Sequence, residues 1–190
     1  LGEWLYERRE QWHIERPPTA VQLDVAEREG AHPVVLADRD DNTGGGSPGD
    51  STGMLRTFVE RRLQDACVLY IVDPESVADC HEAGEGAIID LCVGAKSTPL
   101  QGEPVEMTAR VEAISDGHFR YDGPMYAGLE GRMGPSAHIV SCGVHVLLVT
   151  EREQPFCTGF ARTLGLDPSQ MRYVGVKSAA HFRAGFESWA

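Results

Sequence analysis

The chain has 190 residues, of which 42% are hydrophobic, and 29 Asp and Glu side chains against 17 Lys and Arg give a formal net charge of -12. This apolar content is enough for one hydrophobic core, and we expect a single domain over residues 1–190. Because so acidic a surface repels phosphate backbones and anionic lipids, the composition argues against nucleic acids and membranes as partners.

The cysteines and the first residues bear on the cellular compartment. Five cysteines, widely spaced and without a Cys-x-x-Cys pair, argue against a disulfide scaffold and against a thiolate zinc site. The start lacks the basic and apolar runs of a signal peptide, and no apolar stretch reaches the roughly 18 residues of a membrane span. We therefore expect a cytoplasmic protein. Because the sequence begins with Leu1 rather than Met, we also expect a fragment of a longer chain, although a chain shortened by design would have the same ends.

Residues 1–30 are predicted to form a helical lead-in. An amphipathic helix that ends before Pro17 is predicted from the near-helical spacing of Leu1, Trp4, Leu5, Arg8 and Trp12. A second helix is predicted from Thr19, as its cap, to about Glu29, with Gly30 as the C-terminal glycine. Its buried face is predicted to contain Val21, Val25 and Ala26.

The apolar run over residues 34–37 predicts a strand that is buried on both faces, and the β-rich run over residues 67–72 predicts a second strand. Between them, Asp50 or Ser51 is predicted to cap a helix over residues 54–63. The order strand, loop, helix, strand predicts a right-handed crossover between two parallel neighbours.

The second half of the chain has a different pattern. A helix is predicted from Asp73 and a strand over residues 87–93, after which residues 105–114 alternate apolar and polar side chains. Residues 139–142 and 144–149 continue this antiparallel pattern. Three further elements are predicted: a short helix over residues 160–164, a strand over 173–176 and a helix from near Ala180. The predicted fold class is therefore mixed α/β, with a partly parallel sheet, flanking helices and an antiparallel β-rich section.

The segment over residues 38–50 reads Asp-Arg-Asp-Asp-Asn-Thr-Gly-Gly-Gly-Ser-Pro-Gly-Asp. Three consecutive glycines next to clustered carboxylates indicate a demanding backbone geometry and a candidate binding site. The candidate residues of this glycine loop are Asp38, Asp41, Asn42, Gly44, Gly45, Gly46 and Asp50. A solvated loop that merely turns the chain is the alternative interpretation.

Known loop chemistries fit this segment poorly. A carboxylate, Asp50, stands where a phosphate-binding loop needs lysine, and the contiguous glycines do not match a dinucleotide fingerprint. Asp38, Asp40 and Asn42 alternate as in a calcium loop, but Gly49 stands where a bidentate Glu should close the shell. Calcium is therefore only a minor alternative.

A second candidate cluster, Lys177, Ser178, His181 and Arg183, follows the predicted strand over residues 173–176. Ligands of α/β sheets gather at the carboxyl ends of strands. If the strands over 34–37 and 173–176 are neighbours, the cations of this cluster would face the acidic glycine loop. The alternatives are a structural ion-pair network or a helix that is capped by Ser178.

No complete catalytic or metal-binding pattern is found in the sequence. There is no His-Glu-x-x-His pair and no Gly-x-Ser-x-Gly elbow. His138 and His145 fall within predicted strands, where hydrogen-bonded structural histidines are the better interpretation.

The sequence resembles the carboxyl-terminal domain of the MlrC (microcystinase C) family of metallopeptidases. The resemblance rests on residues 33–38 and 41–50, the segment Glu-Gln-Pro-Phe over 153–156, and residues 176–178 with 181–183. It implies a zinc-dependent hydrolase of peptide or amide bonds, in which metal-activated water attacks the carbonyl. It also implies that the metal ligands belong to an amino-terminal domain, so no zinc is expected on these residues. One departure is Thr43, where family members typically have proline.

Two hypotheses for function remain open on the sequence alone. In the first, the chain shapes the substrate cleft beside a metal-bearing amino-terminal domain of the same chain, and it is inactive alone. The two candidate clusters would then contact a peptide-like small-molecule substrate. In the second, the chain is a noncatalytic binding or assembly module that uses the acidic glycine loop. A homo-oligomer is compatible with either hypothesis.

Overall fold

The computed structural model of the protein describes residues 1–12, 16–30 and 32–190. Its α-helices are α1 Gly2–Glu7, α2 Thr19–Glu29, α3 Gly53–Glu60, α4 Pro74–Ala83, α5 Gly159–Thr163 and α6 Arg183–Phe186. Its strands are β1 Val34–Ala37, β2 Ala66–Val72, β3 Ile88–Val93, β4 Val105–Ser115, β5 His118–Arg120, β6 Glu130–Arg132, β7 Ser136–Ser141, β8 Val144–Val149 and β9 Tyr173–Val176. The predicted mixed α/β class, with a parallel and an antiparallel part, is confirmed.

Seven strands form one sheet in the order β1-β9-β2-β8-β7-β4-β3, and β5 pairs with β6 in a small antiparallel sheet. Strands β1, β9, β2 and β8 run parallel to one another. Strands β7, β4 and β3 continue the sheet in antiparallel pairs. The change in sequence pattern after β3 therefore corresponds to the change from parallel to antiparallel pairing.

The predicted pairing of β1 with β2 is wrong in one respect. The two strands are parallel, but β9 lies between them and pairs with both. The crossover from β1 through α3 therefore skips one strand position, which the last strand of the chain fills. Local patterns carry no information on this insertion, because β9 is more than 100 residues away in sequence.

Apolar side chains cover both faces of the sheet. Helices α2, α3 and α4 pack on one face, where Leu23, Phe58 and Val77 join Val68 and Ile71 of β2 in one core. A second core on the other face contains the aromatic side chains of α5, α6 and β5. This burial on both sides explains why β2 is apolar throughout.

Several helix boundaries differ from the sequence prediction. Helix α1 ends at Glu7, a 3-10 turn follows over Arg9–Trp12, and no residue of either is buried. The predicted continuation over residues 13–15 lies outside the described residues. Helix α2 begins at Thr19 itself, after Pro18, without a side-chain cap. The C-terminal glycine at Gly30 is confirmed by its left-handed φ of 66°.

The predicted buried face of α2 is also partly wrong. Val21 is 46% exposed, whereas Leu23 and Ala26 are buried. Helix α3 begins after Thr52, so neither Asp50 nor Ser51 caps it. The final helix starts at Arg183 rather than near Ala180. Asp73 does cap α4, since its carboxylate accepts the Ser76 N–H at 3.1 Å.

Within the described part of the chain, no helix combines the length and apolar character needed to cross a membrane.

Candidate functional site

The carboxyl ends of β1 and β9 meet at one edge of the sheet. Their register pairs Ala37 with Val176, so the next residues, Asp38 and Lys177, are adjacent. The backbone N–H of Asp38 donates to the Val176 carbonyl at 2.8 Å. The predicted adjacency of the two candidate clusters is thus confirmed at this edge, while their role in binding stays a prediction.

Lys177 is the centre of a buried polar cluster. Its side chain is 2% exposed, and its ammonium donates to Asp38 at 3.1 Å and to Asp41 at 2.8 Å. It also donates to the Ser51 carbonyl at 2.8 Å, and the Ser51 hydroxyl oxygen lies 2.6 Å from the ammonium nitrogen. With every ammonium proton directed at an oxygen, Lys177 holds the loop to the sheet edge rather than facing a ligand.

Asp41 fixes the path of the glycine loop. Its carboxylate accepts the Gly49 N–H at 2.8 Å and the Ser51 N–H at 2.7 Å, in addition to the Lys177 ammonium. Burial by itself would raise the pKa of Asp41, but Lys177 and these two N–H groups together bring it below its ordinary value. Asp41 is therefore charged at neutral pH and closes the loop upon itself.

Asp50 contacts the segment after β3 rather than Lys177. Its carboxylate accepts the N–H groups of Lys96 and Ser97 at 2.9 and 2.8 Å, and the Ser97 hydroxyl at 2.7 Å. The end of the loop is thereby anchored to the segment that follows β3. Asp50 thus has different partners from Asp38 and Asp41, and its predicted role in binding stays a prediction.

The three glycines form an exposed turn. Residues Thr43–Gly45 make one turn of 3-10 helix, which ends at Gly46 with a left-handed φ of 94°. A Cβ atom on Gly44 would overlap the side-chain amide of Gln154. Glycine is therefore favoured at Gly46 by its left-handed φ, whereas a side chain at Gly44 would have to displace the end of the Gln154 side chain.

Three hydroxyl and backbone contacts join this turn to the segment over 153–156. The Thr43 hydroxyl donates to the Glu153 carbonyl at 2.8 Å and lies 2.9 Å from the Tyr70 hydroxyl. The Tyr70 oxygen in turn accepts the Glu153 N–H at 3.1 Å. Because Tyr70 is buried in β2, this ring of contacts connects the loop directly to the core. Proline at position 43 could not make it, since proline has no hydroxyl.

Of two other candidate side chains, His181 lies near the glycine loop and Arg183 does not. His181 is exposed and its Nδ1 lies 3.0 Å from the Gln154 amide nitrogen, so it reaches Gly44 through Gln154. Arg183 instead lies with Pro33, Val35 and other residues in a separate cleft, and it is not brought to the glycine loop.

Two buried polar atoms in the candidate clusters, Asn42 Oδ1 and Ser178 Oγ, have no hydrogen-bond partner among the described residues. Ser178 accordingly caps no helix here. Buried polar atoms are normally paired, so both positions have capacity for one further contact.

The structural interpretation of His138 and His145 is supported by their contacts. His138 Nδ1 lies 3.1 Å from the Leu164 carbonyl, so it carries the proton and donates, which leaves Nε2 as the acceptor. Nε2 lies 2.9 Å from His145 Nδ1, which must then donate. Burial, and next the neighbouring His145, lower the pKa of His138 to about 4.

Across residues 1–12, 16–30 and 32–190, no group of three or more His, Cys, Asp or Glu side chains is arranged to hold a metal ion. Asp38, Asp41 and Asp50 are committed to Lys177, to hydroxyl groups and to backbone N–H groups, and Asp40 pairs with Arg16. The described residues therefore do not fit a catalytic metal.

Sequence reasoning missed Tyr70 and Gln154 as parts of this site. Tyr70 lies in an apolar strand and looks like an ordinary core residue until its hydroxyl is located. Gln154 had one usable signal, because its segment was among those that carried the family resemblance. The contact of Tyr70 with Glu153 does not follow from spacing, since 83 residues separate them. The same holds for the contact of Gln154 with His181, which is 27 residues away.

The chain is similar to known proteins over most of its length. The family model described as "MlrC C-terminus" matches residues 36–190. Microcystinase C of Sphingomonas sp is 31% identical over 170 residues, which cover 88% of this chain and 32% of the relative. A crystal structure described as "Putative metallopeptidase" from Mesorhizobium sp. BNC1 has a TM-score of 0.84 and 24% identity, and it covers 99% of this chain and 38% of that one. The chain thus spans about a third of the length of these relatives.

Proposed function

Because this chain belongs to the MlrC C-terminus family, we propose that it is the carboxyl-terminal domain of a zinc-dependent hydrolase that cleaves peptide or amide bonds. In this proposal it forms one wall of the substrate cleft beside a metal-bearing amino-terminal domain. Support comes from the name of the relative Microcystinase C and from the small share of that relative that the chain spans. The proposal assigns zinc to residues outside this chain.

The observation that carries the proposal is the way in which the glycine loop is held. Gly44, Gly45 and Gly46 are exposed at the carboxyl edge of the parallel strands, while the buried Lys177 cluster beneath holds the loop in place. A buried ion-pair cluster that rigidifies an exposed, side-chain-free backbone is suited to present main-chain groups to an extended peptide.

The candidate residues have different roles in this proposal. Asn42 is half-buried, and its buried side-chain oxygen has no partner among the described residues, so it is the candidate to accept a hydrogen bond from a substrate amide that enters the loop at this position. His181, exposed and joined to Gln154, is the candidate to contact a substrate carboxylate or carbonyl. Lys177, Asp38, Asp41 and Asp50 position the loop and do not contact the substrate. Ser178, with its buried hydroxyl, and Arg183, in its separate cleft, have no assigned contact.

The test uses a longer protein in which an amino-terminal family domain precedes these 190 residues. We expect this longer protein to bind about one zinc per chain and to hydrolyse a peptide substrate. Asn42→Ala and His181→Ala should each raise KM about tenfold and leave the zinc content unchanged. His118→Ala, an exposed substitution on β5, serves as the matched control and should leave KM unchanged.

Two results would overturn the proposal. A longer protein without zinc or without hydrolysis would remove the enzymatic role. Unchanged kinetics in both the Asn42 and His181 variants would restrict the glycine loop to a structural role.

A further inference from the structure

A second feature beside the glycine loop is a cleft of about 460 Å³ whose lining includes Gly44, Tyr121, Tyr126, Glu130, Glu153 and Phe156. Gly44 and Gln154 connect it to the loop described above. None of its aromatic residues was a candidate on sequence grounds.

Three aromatic rings form one wall of this cleft. The ring centroids of Tyr121 and Phe156 lie 5.6 and 5.3 Å, respectively, from that of Tyr126, so the three rings make a continuous surface. Tyr121 and Phe156 are buried behind, whereas Tyr126 is 53% exposed at the rim. Such a wall offers π-faces to a flat or cationic group.

The backbone at Tyr126 is unusual. Its φ is 57°, in the left-handed region that bulky side chains rarely adopt. The surrounding turn is held by backbone hydrogen bonds from the Leu129 N–H to the Tyr126 carbonyl and from the Gly128 N–H to the Tyr121 carbonyl, both 2.9 Å. The fold thus maintains a strained backbone that keeps an aromatic ring exposed at the rim of the cleft.

The charged side chains of the cleft are mainly acidic. Glu130 and Glu153 line it together with one cation, Arg152, whose guanidinium lies 3.5 Å from the Gly46 carbonyl. Neither glutamate forms an ion pair with any residue in the part of the chain that the structure describes.

Glu153 lies close to the aromatic wall. Burial, and then the neighbouring Glu153 carboxylate, raise the pKa of the Tyr121 phenol. Glu153 is itself partly buried; its carboxylate accepts the Gln154 N–H at 2.9 Å and lies next to the Tyr121 phenol. A cationic ligand stabilises a carboxylate most when that carboxylate is partly removed from water and has no other cation beside it.

We propose that this cleft binds the cationic side chain of an arginine or lysine residue of a peptide. The aliphatic stem lies along Tyr126 and Leu129, and the charged head reaches Glu153 and Glu130. Arginine fits best, because its planar guanidinium stacks on tyrosine and pairs with a carboxylate at the same time. The choice of a peptide as the carrier rests on the proposed function, but binding of the side chain itself does not.

The probe for this inference is Nα-acetyl-arginine amide, titrated into the 190-residue protein by NMR at low ionic strength. Nα-acetyl-citrulline amide is the matched probe, since it keeps the length and the planar head but has no charge. We expect the arginine probe to bind at least tenfold more tightly and to shift the resonances of Gly44, Tyr126 and Glu153. Added salt should weaken its binding.

Variants of the protein test the same point. Glu153→Gln and Glu130→Gln should each weaken binding of the arginine probe about threefold to tenfold, and Tyr126→Ala should weaken it similarly. Glu106→Gln, an exposed glutamate of β4 outside this cleft, should leave the affinity unchanged. Because Glu130 is exposed, Glu130→Gln should fold normally and keeps the inference testable if Glu153→Gln fails to fold.

Equal affinity for the arginine and citrulline probes would overturn the inference, as would tighter binding of Nα-acetyl-phenylalanine amide or Nα-acetyl-glutamate amide. Unchanged affinity in both glutamate variants would also overturn it. Because these measurements need neither zinc nor hydrolysis, they can succeed while the enzymatic proposal fails, and the reverse.

Discussion

The ammonium of Lys177 lies 2.8 Å from the carboxylate of Asp41, and each side chain is 2% exposed, although 136 residues separate them in sequence. This pair links the last strand of the sheet to the glycine loop that follows the first. It accounts for the fixed position of a loop that exposes three consecutive glycines.

Replacement of Lys177 by methionine should lower the free energy of unfolding by about 3–5 kcal/mol, because it leaves Asp41 and Asp38 buried without a counter-charge. Urea denaturation followed by circular dichroism measures this loss. The control is Arg16→Met, which removes an ion pair with the exposed Asp40 and should cost less than about 1 kcal/mol. Similar small losses in both variants would contradict a central role for Lys177.

Thr43→Val should lower stability by about 1–2 kcal/mol, because it leaves the Glu153 carbonyl and the buried Tyr70 hydroxyl each without one partner. Thr43→Ser keeps the hydroxyl and should recover most of that loss. Hydrogen exchange should also become faster at the Glu153 N–H in the valine variant alone. If serine and valine have the same effect, the loss comes from packing of the methyl group and not from the hydroxyl.

Gly44→Ala should displace the Gln154 side chain, because the new methyl group would occupy the space of its amide. The contact between Gln154 and His181 should then be lost, which NMR shifts of the His181 ring can report. Gly53→Ala is the control, since a Cβ there meets nothing within 4 Å. An undisturbed His181 ring in Gly44→Ala would show that the turn adapts without moving Gln154.

The buried pair of His138 and His145 should make stability depend on pH below neutrality. The pKa of His138 is lowered to about 4, from an ordinary value of about 6.5. Between these two pH values, His138 is therefore protonated in the unfolded chain but neutral in the folded protein. The full stability is therefore present above about pH 6.5, and it should fall as the pH decreases toward 4, by up to about 1.4 kcal/mol per pH unit.

Unfolding measured at several pH values between 4 and 7 checks this dependence. His138→Gln should flatten the curve over that interval, whereas His118→Gln on the exposed side of β5 should not. Identical slopes in the wild type and in His138→Gln would show that the pair carries no proton linkage.

Local sequence patterns were sufficient for most elements of the fold. The apolar run of β2, the alternation of β4 and the Asp-Pro start of α4 each encode an element directly, because burial and capping act within a few residues. The buried face of α2 was predicted less well. Which face of α2 is buried depends on where α3 and β1 pack against it. The short apolar pattern of α2 is compatible with more than one such face.

The sequence by itself determined the fold class, the glycine loop and the family to which the chain belongs, since these depend on residue types and short spacings. Only the tertiary structure decided that β9 enters the sheet between β1 and β2. That insertion brings Lys177 to Asp38 and Asp41, and it sets Tyr70 of β2 beneath the same edge. Strand order is a property of long-range packing, so no local pattern in this chain could specify which carboxylates Lys177 would neutralise or which rings would line the neighbouring cleft.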